Sequence, residues 1–81
     1  MSTPPTKLIY MANQIGKYFA SQRRGDAVAG IAEHLTLYWE PRMRRQICAY
    51  LAEDGSALDP PVRQAVERIA AAMPAAGTEA R

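Results

Sequence analysis

The apolar residues of the first segment, Leu8, Met11, Ala12, Ile15, Tyr18 and Phe19, recur at three-four spacing, which lays one stripe along a helix. Lys7, Gln14 and Lys17 lie off that stripe. Thr3-Pro4-Pro5-Thr6 supplies hydroxyl caps and a proline for the first turn, and Arg23-Arg24-Gly25 supplies terminal cations and a glycine able to turn left-handed. The pattern predicts a first helix from about residue 5 to about residue 23.

Asp26 caps a second helix with the stripe Val28, Ile31, Ala32, Leu35 and Trp39. Its other faces carry Ala27, Ala29, Gly30, Leu37 and Tyr38, so it is apolar nearly all round. Such a helix is either central in its domain or covered from a second side by a partner. Leu37 is the residue most clearly on the wrong face. Glu40-Pro41 breaks the run, because the residue before proline is pushed out of the helical region while proline suits a new first turn.

A third helix is expected from residue 41 to about residue 52, with Met43, Ile47, Tyr50 and Leu51 inward and Arg42, Arg44, Arg45 and Gln46 spread over the other sides. Glu53-Asp54-Gly55-Ser56 is a polar stop. Asp59-Pro60 opens a fourth helix with the stripe Val62, Ala65, Val66, Ile69 and Met73, and Leu58 is placed as a staple before it. Pro74 ends the helix. No strand alternation and no internal repeat occurs. The expected architecture is all-α: a small compact bundle of about four short helices in one domain, residues 1–73, followed by a disordered tail, 74–81.

Length and composition narrow the function. At 81 residues the chain has room for one small domain, and 15 of its 39 apolar residues are alanine, leaving 24 larger ones for a modest core. The net charge of +2 is too mild to mark a nucleic-acid binder by itself. Eight of the ten cations are arginine, and five fall in two groups, Arg23-Arg24 and Arg42 with Arg44-Arg45. Arginine suits bidentate pairing with carboxylate or phosphate. The single cysteine, Cys48, forms no internal disulfide, which points to a reducing compartment. Lys7, Asn13 and Gln14 interrupt the apolar residues of the first segment, and no stretch is long enough to span a bilayer. A cytoplasmic location without membrane contact is expected.

The stock of chemical groups is thin: one histidine, one cysteine, three serines and scattered carboxylates. No second histidine completes a metal set with His34 and Cys48, and no triad is evident. The five glycines are dispersed and form no phosphate cradle. We therefore expect no catalytic residue, no metal site and no cofactor site on this chain.

Beyond composition, the order Lys7-Leu8-Ile9-Tyr10-Met11-Ala12-Asn13-Gln14-Ile15-Gly16 with Phe19, then Ala27-Val28-Ala29-Gly30-Ile31-Ala32-Glu33-His34-Leu35, then Tyr38-Trp39-Glu40-Pro41-Arg42-Met43-Arg44 closely resembles the delta subunit of NAD-dependent formate dehydrogenases. The likeness runs from about Lys7 to Arg63, including Leu58-Asp59-Pro60. It implies a non-catalytic accessory subunit of a cytoplasmic complex that oxidises formate and reduces NAD. The implied partner is a large alpha subunit carrying a molybdenum or tungsten bis-pterin and iron–sulfur clusters, with flavin and further clusters on beta and gamma subunits. The implied role is to stabilise that partner and assist its cofactor loading.

For a binding role the candidate surface is the corner between the second and third helices. Tyr38 and Trp39 are the aromatic anchors, Arg42 and Arg45 the pairing cations, and Leu37 and His34 lie beside them. Trp39 also lies on the core stripe, so core packing and partner contact both stand open for it. Asn13 and Gln14 offer adjacent amides that bridge to a partner backbone or face water. Two alternatives of other kinds remain: a small helical nucleic-acid binder using its arginine groups, and a self-associating bundle that buries Leu37 and Tyr38.

Overall fold

Where the hydrophobic period is 3.6 the chain is helical, and two of the breaks fall at Pro41 and Gly55. The structure is a computed structural model that describes residues 5–22 and 26–72. The helices are α1 (Thr6–Ala20), α2 (Ala27–Tyr38), α3 (Pro41–Glu53) and α4 (Pro60–Ala72). No strand occurs among the described residues, and the all-α architecture is the expected one. The expectations placed on Thr3, on Arg23-Arg24-Gly25, on Met73 and on residues 74–81 lie outside the described residues.

Three of the helix boundaries follow from local chemistry. Asp26 Oδ1 accepts the N–H groups of Val28 at 2.9 Å and Ala29 at 3.4 Å, which satisfies donors that the first turn of α2 leaves unpaired. Glu40 is extended, with φ −68° and ψ 152°, as a residue before proline should be, and Pro41 opens α3. Gly55 takes φ +74°, the left-handed conformation that closes the α3–α4 turn. α1 departs from expectation. It begins on the Pro5 carbonyl with no side-chain cap, and it ends at Ala20, where Ser21 Oγ donates to the Tyr18 carbonyl at 2.7 Å.

α4 is the hub: it packs against α1, α2 and α3, most broadly against α2. Ile31, Leu35, Ile47, Val62 and Val66 are fully buried, and Trp39, Tyr50 and Leu58 close the core around them. A domain of this size has on the order of 5–15 kcal/mol of stability, so truncating one of those five side chains, at about 2–5 kcal/mol, removes a large share.

The buried face of α1 is rotated from the expected stripe. Leu8, Ile9, Ala12 and Gly16 are buried, Met11, Ile15 and Phe19 are partly buried, and Tyr18 is 61% exposed. Gly16 accounts for the rotation. A Cβ placed there would stand 2.4 Å from Val62 Cγ2, so the bare glycine lets α1 lie directly on α4.

Candidate partner-docking site

α2 is walled by α1 on one side and α4 on the other, which leaves a third side open. On that side Ala29, Glu33 and Leu37 follow one another at i, i+4 and i+8, the spacing of a helix ridge. All three are exposed, Leu37 by 64%, and Tyr38 beside them by 72%. The expectation that this helix is apolar all round is met by two neighbours and one uncovered face.

A hollow flanks each side of the ridge. The larger, about 570 Å³, lies toward α1 and is lined by Tyr18, Phe19, Gly30 and His34 together with Leu37 and Tyr38. The smaller, about 290 Å³, lies toward α4 and is lined by Ala32, Thr36, Arg68, Ile69 and Ala72. Glu33 and Leu37 border both.

Four rings run through the larger hollow in sequence. Tyr18 and Phe19 meet edge to face at 5.1 Å, Phe19 and His34 at 6.1 Å, and His34 tilts against Tyr38 at 4.8 Å. Edge-on contacts of this kind hold rings in place at about 0.5–1.5 kcal/mol per aromatic pair. Phe19 reaches the hollow because Gly30 has no side chain; a Cβ there would stand 2.7 Å from the Phe19 ring. Tyr18, Phe19 and Gly30 were not among the residues singled out from the sequence. Tyr18 reads as core by period, and the α1–α2 approach that joins them is tertiary.

Of the residues singled out, His34, Leu37 and Tyr38 come together here. Arg42 and Arg45 are exposed at the start of α3, and neither makes an ion pair with another described residue. Trp39 is only 6% exposed and belongs to the core. Asn13 is engaged within the chain: Nδ2 donates to the Ala57 carbonyl and Oδ1 accepts the Asp59 N–H, both at 3.0 Å. Gln14 is exposed and donates to the Tyr10 hydroxyl at 3.1 Å.

Arg44 takes a role that spacing does not reveal. Its Nη1 donates to the carbonyls of Thr36 at 3.1 Å, Leu35 at 3.5 Å and Trp39, so a cation closes the negative end of α2 and fixes the α2–α3 corner. Arg23 and Arg24 lie outside the described residues. Asp26 Oδ2 faces Arg68 at 3.7 Å and Asp59 faces Lys17 at 4.0 Å, exposed pairs that orient more than they stabilise. Burial pushes the Cys48 thiol above its usual range, against a smaller opposing pull from the Arg44 charge.

Among the described residues no group of three or more His, Cys, Asp and Glu side chains stands close enough to hold a metal ion. No described helix is long and apolar enough to cross a membrane.

In comparisons with known proteins, residues 7–66 match the model of a family described as NADH-dependent formate dehydrogenase delta subunit FdsD. No curated protein and no solved structure matches the chain. The matched span takes in α1, α2, α3 and the first half of α4, and so every residue of the larger hollow.

Proposed function

Since the chain belongs to the family of NADH-dependent formate dehydrogenase delta subunits, we propose that it acts as a non-catalytic accessory subunit, docked on the large alpha subunit of a cytoplasmic complex with beta and gamma subunits. The observation that carries this reading is the uncovered face of α2, where Leu37 and Tyr38 stand 64% and 72% exposed beside a hollow lined by rings. Contiguous apolar exposure of this kind on a small chain marks a surface that another protein covers. Tyrosine and arginine dominate binding energy once desolvated, which gives Tyr38 an anchoring role and Arg42 and Arg45 a pairing role at the edge. Trp39 supports that edge from the core side, with His34 between the rings and Gln14 on the neighbouring helix.

Docking stabilises the alpha subunit and holds it ready to receive its molybdenum or tungsten bis-pterin. That group, the iron–sulfur clusters and the flavin stay on the partner subunits, and this chain contributes contact alone.

The test is recovery of the tagged chain from its native host grown on formate. The expected result is the large formate dehydrogenase subunits in fixed ratio. A second measurement compares metal and pterin content of the alpha subunit made with and without this chain, and lower content without it is expected. Recovery of the chain alone would overturn the docking reading, and equal cofactor content would overturn the loading role.

A further inference from the structure

Building on that docking reading, we infer that the open face of α2 receives a single amphipathic helix of the partner, one that carries a lysine or arginine among its apolar anchors and sets that cation against Glu33. Three features of the face lead there.

Its shape is the first. The Ala29–Glu33–Leu37 row is a ridge with a hollow along each side, and a ridge between two grooves is the complement of another helix surface. An incoming helix seats one row of side chains among Tyr18, Phe19 and Tyr38 and the next row against Ile69 and Ala72, while the α2 ridge enters the groove between them. The small Ala29 at the start of the ridge allows the two backbones to draw close.

The backbone is the second. Most N–H and C=O groups along α2 are used within the helix, and Arg44 takes the Leu35, Thr36 and Trp39 carbonyls at its end. An extended segment binding by strand addition needs unpaired backbone groups, and this face offers side chains only.

Charge is the third. Among the described residues Glu33 is the one carboxylate bordering either hollow, and it makes no ion pair with another of them. Covering a carboxylate that no described residue compensates is costly, which favours an occupant that brings a cation to it. Arg68 lines the smaller hollow but already faces Asp26 at 3.7 Å. A second copy of this chain docked face to face about a two-fold axis centred on Glu33 would set Glu33 against Glu33. A partner with a basic position meets the carboxylate that such a copy would repel.

The experiment uses the tagged full chain in its complex. Glu33→Arg is expected to lower co-recovery of the large subunits by roughly tenfold, and Leu37→Asp to lower it to background, with helical content unchanged because both positions are exposed. A photo-crosslinking residue at position 37 is expected to label one partner segment that has apolar residues at three-four spacing and a lysine or arginine between them. Reversing that cation to glutamate is expected to restore binding to Glu33→Arg. If the wild-type chain recovers no large subunit, the docking reading fails. If the wild type and both folded variants recover it equally, the docking reading stands and the α2 assignment is overturned. Crosslinks to a second copy, or to a segment without a basic residue or helical spacing, also overturn it.

Discussion

Asn13 on α1 and Asp59 at the start of α4 are joined by a 3.0 Å hydrogen bond from the Asp59 N–H to Asn13 Oδ1, while the same side chain donates to the Ala57 carbonyl at 3.0 Å. One amide thus satisfies both a donor and an acceptor of the α3–α4 turn, which no repeating structure pairs. Asn13→Ala should cost about 1–3 kcal/mol, a fall in Tm of about 4–8 °C for each kcal/mol in a domain of this size. Asn13→Asp should cost nearly as much, since it keeps the acceptor but sets a carboxylate oxygen against the Ala57 carbonyl. Thermal unfolding followed by circular dichroism checks both, and an Asp variant as stable as wild type would mean that only the Asp59 bond matters.

Arg44 should behave as a helix terminator. Arg44→Ala leaves the last carbonyls of α2 without their cation and is expected to cost about 1–2 kcal/mol. Arg44→Lys keeps the charge on a single donor nitrogen but ends one atom short of the position that Nη1 holds between the three carbonyls, and should recover about half of that loss. Chemical denaturation at low and high salt separates the parts: the deficit of the Ala variant should narrow with salt, because the dipole contribution is screened.

All four helices, the Asp26 cap and the break at Glu40-Pro41 are legible in the sequence, because each rests on local chemistry: period, a short polar acceptor, or a proline. The inward face of α1 is not. Gly16 contributes to the core by lacking a side chain, so it leaves no hydrophobic signal, and Tyr18 carries one although its ring lies 61% exposed. The candidate site divides in the same way. Leu37 and Tyr38 stand out as apolar residues off the stripe of their own helix, whereas Phe19 and Gly30 join the site only through the crossing of α1 and α2. Trp39, Asn13 and Arg44 show the converse. Residue type marks them as good contact makers, and the contacts the structure gives them are within the chain.

Two glycines on facing helices should respond differently to the same substitution. At Gly16 an added methyl meets the β-branched, fully buried Val62 at 2.4 Å, a side chain with no room to turn aside. Overpacking of about 1–3 kcal/mol should outweigh the gain of about 1 kcal/mol from alanine's helix propensity, so Gly16→Ala is expected to be destabilised. At Gly30 the methyl meets the Phe19 ring, which is only partly buried and borders an open hollow. Gly30→Ala should therefore stay within about 1 kcal/mol of wild type while displacing Phe19. Paired melting curves decide the matter, and equal losses at the two sites would show that the Phe19 ring is held as firmly as Val62.

Cys48 supplies a pH dependence whose sign follows from burial. The folded chain holds the thiol above its usual value near 9, so between that value and the raised one the unfolded chain has released a proton that the folded chain keeps. Stability from this group is then present at neutral pH and declines as pH rises through the usual thiol range. Wild type should lose more Tm than Cys48→Ala between about pH 7 and pH 10, and the variant removes any loss caused by tyrosine or lysine titration from the comparison. The same burial predicts slow alkylation, because the thiolate is the reactive form. Iodoacetamide at neutral pH should modify the folded chain more slowly than the chain in denaturant. Equal rates in the two states would mean that Cys48 is open to solvent and that its packing against the core is looser than the structure describes.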